Sequence, residues 1–391
     1  MGHRAGFWLG ISVLWIPLAF LFDGVTVLIL PLRLGGEAAT VGVVSLIGLG
    51  IAAGLQPVAG WLSDEVRDRF DRRTFLAVAA VPAVGGLWLL VGTTTLLAAL
   101  VGYIVLQAAA TAMQAAQQTF IPEHLERSEQ GRGSGLKAAF DVGGSFLAFL
   151  LLGTLLASGD LFGPAVTITV LLGLAVALVF VLVPPVERLP ASVRVRVGLP
   201  PGLGPLIVAR FLFLFATYGV GRFLVLLVAE RLELDPARAV GDAGGLLALF
   251  TLATAVCAVP AGWVADRRSS RDVMTAGAAI GAIGIVVLVP SAGLAGVMAG
   301  GLLMSLGTAA FVTANWAATT ALVRRDDAGR LMAIANLGTG LAAAAAGALG
   351  PLIDAAGFTP ALVILATASG AAVIPLLIHP APLGRPTETP A

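Results

Sequence analysis

Few residues in this chain are able to do chemistry. Three ionisable side chains fall well inside long apolar stretches: Asp23, Asp141 and Arg222. A carboxylate in such a place takes up and releases a proton, and one facing a guanidinium forms an ion pair that a proton or a ligand breaks. Asp141 sits near a helix start, where a partly solvated carboxylate also suits the helix dipole, with Arg132 and Lys137 as nearby cations. A second set is a scatter of amides and two rings: Gln56, Tyr103, Gln107, Gln114, Asn315 and Trp316. Gln107 and Gln114 are seven residues apart and share a helix face. Amides beside an aromatic suit a hydroxylated or amphipathic solute, and equally serve as hydrogen bonds between helices. The third set is two charge clusters, GWLSDEVRDRFDRR from Gly60 to Arg73 and GWVADRRSSR from Gly262 to Arg271.

The elements that must position these groups are membrane helices. The 391 residues are 58% hydrophobic and 12% charged, against about 25% charged in soluble proteins. One globular core cannot bury that much apolar surface, so lipid is the expected solvent. Twelve apolar runs are long enough to span: 7–32, 40–62, 74–91, 95–118, 135–157, 163–183, 203–229, 243–264, 273–289, 294–322, 331–353 and 360–378. None alternates with period two, so the fold class is all-α. The first run has no cleavage site after it and reads as a retained helix rather than a signal peptide. Small-residue faces, such as Gly42–Gly48–Gly50–Gly54 and Gly340–Gly347, promise close helix packing.

Basic residues orient the spans. With both termini cytoplasmic, only Arg33, Arg231 and Arg238 fall in outer segments, and Arg210 counts with the inner segment before the seventh span. A Pro- and Gly-rich stretch lies between spans six and seven. The expected organisation is an N-terminal six-helix bundle (1–184), a cytoplasmic linker (185–204) and a C-terminal six-helix bundle (205–391).

The two charge clusters make this a repeat. The second span ends PVAGWLSD and the eighth ends PAGWVAD, with Asp64 and Asp266 202 residues apart. Parallel repeats of this kind occur in transporters that rock two bundles about a central site. On Gly60, Asp64, Arg72 and Arg73, and on Gly262, Asp266, Arg267 and Arg268, the chain resembles the major facilitator superfamily. Ser63-Asp64 followed by Arg69-Phe70-Asp71-Arg72-Arg73 is similar to the loop of glycoside–pentoside–hexuronide and sucrose-type symporters, with Asp71 where that branch has glycine. IPEHLERSEQGRGSGL, ARFLFLFATYGVGRF and NWAATTALVRRDDAGRLMAIANLG resemble bacterial members of the same branch. Asn315 stands where relatives often carry an acid, and 141–153 lacks the proline of drug/proton antiporters.

The resemblance implies two pseudo-symmetric six-helix bundles in the inner membrane. It implies a secondary transporter moving a small solute by alternating access, with a proton as candidate coupling ion. Asp64 and Asp266 then pair with Arg72, Arg73 and Arg267 at a cytoplasmic gate. Asp23 and Arg222, at matching depths in the first helix of each half, are expected to pair near the outer gate, with Asp23 as candidate proton site. Efflux of amphipathic compounds or lipids, and a non-transporting receptor or assembly partner, are the alternatives. A monomer is expected, with lipid and a small-molecule substrate as partners. No nucleotide-binding loop, metal cluster or serine–histidine–acid set is apparent, and a net charge of +1 gives no sign of nucleic-acid binding. No cofactor and no enzymatic chemistry are expected.

Overall fold

The computed structural model describes residues 2–65, 71–126, 129–185, 200–291, 293–322 and 328–378. The side chains of 2–5, 60, 61, 63–65, 122, 131, 266 and 328–333 also lie outside the described set. Among the described residues all regular structure is helical. Twelve helices are long and apolar enough to cross a membrane: α1 (Gly6–Arg33), α2 (Ala38–Ala59), α3 (Arg72–Gly92), α4 (Leu96–Gln118), α5 (Arg132–Leu156), α6 (Phe162–Leu182), α7 (Leu203–Leu232), α8 (Pro236–Ala265), α9 (Ser270–Leu288), α10 (Leu294–Leu322), α11 (Ile334–Ala356) and α12 (Phe358–Ile378). Helices dominate because a backbone without water must satisfy its own polar groups. Residues whose side chains reach back to the chain start several of them. Asp71 accepts from the Arg73 N–H ahead of α3, Thr95 from Ala98 ahead of α4, and Ser269 from Asp272 ahead of α9. Asp160 takes the N–H groups of Phe162 and Gly163, which holds its carboxyl below the usual range.

The chain forms two compact units. One comprises Met1–Arg194 with Asp235–Ala248, and the other Val195–Leu234 with Leu249–Ala391. The start of α8, through Ala248, thus belongs with the first unit. There Gly244 and Gly153 of α5 meet so closely that a Cβ on Gly153 would lie 2.9 Å from the Gly244 Cα.

Each unit repeats the other's packing. α3 pairs with α4, and α9 with α10, while α1 and α7 lie against α5 and α11 respectively. The equivalence is atomic. A Cβ on Gly86 would sit 2.6 Å from both the Gly102 carbonyl oxygen and the Leu106 nitrogen. A Cβ on Gly284 would sit 2.7 Å from the Gly300 carbonyl oxygen and the Met304 nitrogen. Each of these three positions recurs after 198 residues. So does an arginine clamp. Arg33 at the end of α1 donates to the Leu90 carbonyl at 2.9 Å, and Arg231 at the end of α7 donates to the Val289 carbonyl at 3.3 Å. Both cations satisfy carbonyls that a helix C-terminus leaves unpaired. Two of the three arginines expected in outer segments therefore serve as helix caps.

The small-residue face expected on α2 is only partly used. Gly48 receives the Tyr103 ring of α4, since a Cβ there would be 2.4 Å from it, but Gly50 and Gly54 face open space. In the second unit the ring and the gap change helices: Gly301 of α10 receives the Phe250 ring of α8.

α1 departs most from regularity. Its middle, Phe20–Ile29, is π-helical. Such widened turns are frequent at functional sites, and this one contains Asp23, Gly24 and Thr26.

The close approach at the third and fourth helices gives a direct test. Gly86→Ala and Gly284→Ala are expected to destabilise by about 1–3 kcal/mol through overpacking. Gly85→Ala, beside open space, is expected to be neutral or stabilising by up to about 1 kcal/mol. Thermal melts of the detergent-purified variants check this, and equal melting points for Gly85→Ala and Gly86→Ala would contradict it.

Candidate functional site

A polar stripe runs along the contact between α1 and α5. Gly144 lets the helices approach, as its Cβ would lie 2.8 Å from the Ile16 Cα. Around that contact, residues 137, 141 and 145 of α5 recur at helical spacing. The Lys137 ammonium lies 3.9 Å from the centre of the Trp15 ring and donates to the Asp141 carboxylate at 3.1 Å. The Ser145 hydroxyl donates to Asp23 at 2.5 Å and lies 3.2 Å from the Asp141 carbonyl. Two of the three expected intramembrane charges thus belong to one stripe in the first unit. Lys137 is the cation that Asp141 meets, and the Asp141 side chain stays 41% exposed. The half-buried Asp23 is about 15 Å along the helix from Arg33, at a rise of 1.5 Å per residue.

Beside the stripe, the π-helical turn engages α4. Gln107 donates its amide to the Thr26 hydroxyl at 3.0 Å and to the Leu21 carbonyl at 3.4 Å. Thr26 and the Tyr103 hydroxyl are 2.9 Å apart. Tyr103, Gln107 and Thr26 are essentially fully buried. In this conformation they hold α1 against α4. Gln117, outside the sequence-based set, does the same one helix end away by donating to the Ile11 carbonyl at 2.7 Å. Gln56 and Gln114 are half-buried and stand apart from that network.

The charge-cluster arginines have partners within the first unit. Arg72 is buried and donates from Nε and Nη2 to Glu123, at 3.3 and 3.0 Å. Arg73 pairs with Asp71, caps α6 through the carbonyls of Phe180 (3.3 Å) and Val183 (2.9 Å), and lies over the Phe180 ring. Sequence reasoning missed Glu123 because 51 residues separate it from Arg72; the quoted IPEHLER stretch was the only signal. The side chains of Gly60's neighbours Ser63 and Asp64, and that of Asp266, lie outside the described residues. Their backbones close the helices Ala38–Glu65 and Pro236–Arg267. Gly262 is half-buried; Arg267 and Arg268 are exposed, with Arg267 over the Trp263 ring at 5.0 Å.

In the second unit, Arg222 is buried and donates to the Ala343 carbonyl of α11 at 3.2 Å. Asn315 is buried and donates to the Leu206 carbonyl of α7 at 3.2 Å. Its neighbour Trp316 is half-buried and lies 4.0 Å from the Arg210 guanidinium carbon. Arg210 corrects the sequence reading. Counted there with the inner segment, it is the eighth residue of α7 and only 4% exposed. Its nearness to the start of an apolar run disguised it, and it is a buried charge inside α7. Among the described residues no group of three or more His, Cys, Asp or Glu side chains is placed to hold a metal ion.

The profile of the Major Facilitator Superfamily matches residues 13–241 and 206–391. Three solved structures have a similar fold. A bacterial homologue of the human lysosomal transporter Spinster, inward-facing and occupied, has a TM-score of 0.72 at 14% identity, covering 97% of this chain and 96% of that one. The nucleoside transporter NupG gives 0.74 at 12% identity over 97% and 99%. The peptide transporter POT in complex with sulfate gives 0.76 at 15% over 96% and 94%. No curated protein sequence is significantly similar to the chain.

The Arg72–Glu123 pair is expected to stabilise the first unit. A double-mutant cycle of Arg72→Met and Glu123→Gln, read by thermal melting, should give a coupling of at least about 1 kcal/mol, because removing one partner strands a buried charge. Coupling below about 0.3 kcal/mol would contradict this.

Proposed function

Because the chain belongs to the major facilitator superfamily, a family of secondary transporters, we propose that it moves a small amphipathic organic solute by alternating access, with Asp23 carrying the coupling proton. The observation behind the proton role is the position of Asp23. It sits in the π-helical turn of α1, held by the Ser145 hydroxyl, in a stripe that continues through Asp141 and Lys137 to Trp15. A carboxylate inside a span gains or loses charge only where another group compensates it. A hydroxyl that donates to the charged form, and accepts from the neutral form, makes both states tenable at one site.

Asp23 lies one residue off the 198-residue repeat from Arg222. In this reading protonation of Asp23 removes the charge that the sequence expectation pairs with Arg222. Asp64 and Asp266 are the candidate acids of the cytoplasmic gate, and Arg267 and Arg268 stay exposed. Arg72 and Arg73, already engaged with Glu123 and α6, fix the start of α3.

An amphipathic solute is favoured over the polyhydroxylated one that the sugar-symporter wording implies. Two of the four amides that would grip hydroxyls have their donors engaged: Gln107 on Thr26 and Leu21, and Asn315 on Leu206. Half-buried rings, Trp316 and Tyr218 among them, offer apolar faces instead.

A thermal-shift screen of the purified protein against sugars, amphipathic drugs and lysolipids identifies the binding class, since a ligand of the folded form raises the melting point. With the best binder in proteoliposomes, Asp23→Asn is expected to keep solute exchange at equal concentrations and to lose pH-gradient-driven accumulation by about tenfold or more, the size of a coupling free energy near 1.4 kcal/mol. Undiminished accumulation in that variant would remove the proton role from Asp23.

A further inference from the structure

The most unusual polar group in the second unit is the Arg210 guanidinium. It is enclosed by protein at 4% exposure, so it does not snorkel to water. Its Nε and Nη1 atoms are both buried and have no hydrogen-bond partner, and no carboxylate among the described residues pairs with it. An uncompensated cation at such a site is costly, and ordinary packing gives no return for that cost.

The side chain is also held in place. Two locks between α7 and α10 bracket it. On one side Asn315 donates to the Leu206 carbonyl, one turn before Arg210. On the other, the Phe213 and Phe311 rings stack at 4.2 Å with planes 13° apart. These locks fix the register of the two helices and so lay the Trp316 ring under the guanidinium at 4.0 Å. Stacking uses the face of the guanidinium and leaves its in-plane donors free. Nε belongs to the side edge of the fork and Nη1 to its end edge, so each edge keeps an unpartnered nitrogen. A planar cation, immobilised on an indole with its fork unfilled, is the arrangement that receives an oxyanion bidentately.

We propose that Arg210 and Trp316 form a binding site for the anionic head group, a carboxylate or phosphate, of an amphipathic molecule. Trp316, the half-buried partner, contacts the adjoining apolar part. The site deepens the transporter reading by giving the solute a negative charge, and rests on that reading only for what the site is used for. Arg222 differs, since it already donates to a backbone carbonyl.

The test uses the full-length protein in phosphatidylcholine nanodiscs and measures binding without any gradient. The probes are decanoate and its neutral isostere decanamide, followed by melting temperature and by isothermal titration. Decanoate is expected to bind the wild type at least about tenfold more tightly than decanamide, the scale of a charge-assisted hydrogen bond. Arg210→Gln is expected to erase that preference and leave decanamide unchanged, while Arg210→Lys, which keeps the charge and loses the fork, retains part of it. A second arm replaces part of the lipid by phosphatidylglycerol with no decanoate. Stabilisation there that Arg210→Gln removes assigns the head group to lipid, and stabilisation by decanoate alone assigns it to a solute; either supports the site. Equal affinity of the wild type for decanoate and decanamide, with no effect of phosphatidylglycerol, would overturn the proposal even if Arg210→Gln failed to fold. So would a preference that survives in Arg210→Gln. Failure of every solute to be transported would sink the transporter reading and leave this binding result standing.

Discussion

Within the hydrocarbon layer no water completes a hydrogen bond, so every polar group must find its partner in the protein. That constraint organises the structure from backbone to site. It makes the chain helical. It draws Arg33 and Arg231 onto the free carbonyls that end neighbouring helices, and it spends Gln107, Gln117 and Asn315 on carbonyls of α1 and α7. Once those groups are accounted for, two charges stand out: a carboxylate held by Ser145 in a widened turn, and a guanidinium with two unpartnered nitrogens. Asp23 is the first and Arg210 the second.

The repeat shows how the same constraint was met twice. Gly86, Gly102 and Leu106 in one unit, and Gly284, Gly300 and Met304 in the other, bring backbones together at the same positions. The ring that fills the gap beside them moved from α4 to α8 while the gap moved the other way. The glycines at the close approach are repeated in kind, while the ring beside them keeps its role and changes its helix. The polar sites diverged further: the first unit holds the stripe from Lys137 to Asp23, and the second holds a guanidinium on an indole. A proton site in one bundle and an anion site in the other would divide two tasks of a coupled transporter between two copies of one scaffold.

The spans were legible because roughly 20 apolar residues in a row have few other uses, and the repeat because GWLSD and GWVAD carry charge at a span end. Asp23 and Arg222 were visible for the same reason. Other features were not. Arg210 lies near the start of an apolar run, and only burial distinguishes it from a loop anchor. The π-helical turn of α1 leaves no periodic trace in a segment that is apolar on every side. Glu123 meets Arg72 across 51 residues, a distance no local pattern spans. Gly50 and Gly54 matched a packing face by spacing alone, yet among the described residues a Cβ at either would meet nothing within 4 Å. Sequence spacing assigns a face but not the neighbour that covers it.

Alternating access, as proposed, requires that two units of fixed internal structure change their mutual arrangement during transport. Spin labels on a variant lacking Cys257 test it directly by pulsed electron resonance. Val78 and Val181 lie in the first unit and Leu377 in the second, all well exposed, with Val181 and Leu377 at the C-terminal ends of α6 and α12. The account predicts one narrow, pH-independent distance distribution for Val78–Val181. For Val181–Leu377 it predicts two populations whose proportions shift between acidic and neutral pH. A single Val181–Leu377 distance that ignores pH and added solute would contradict it.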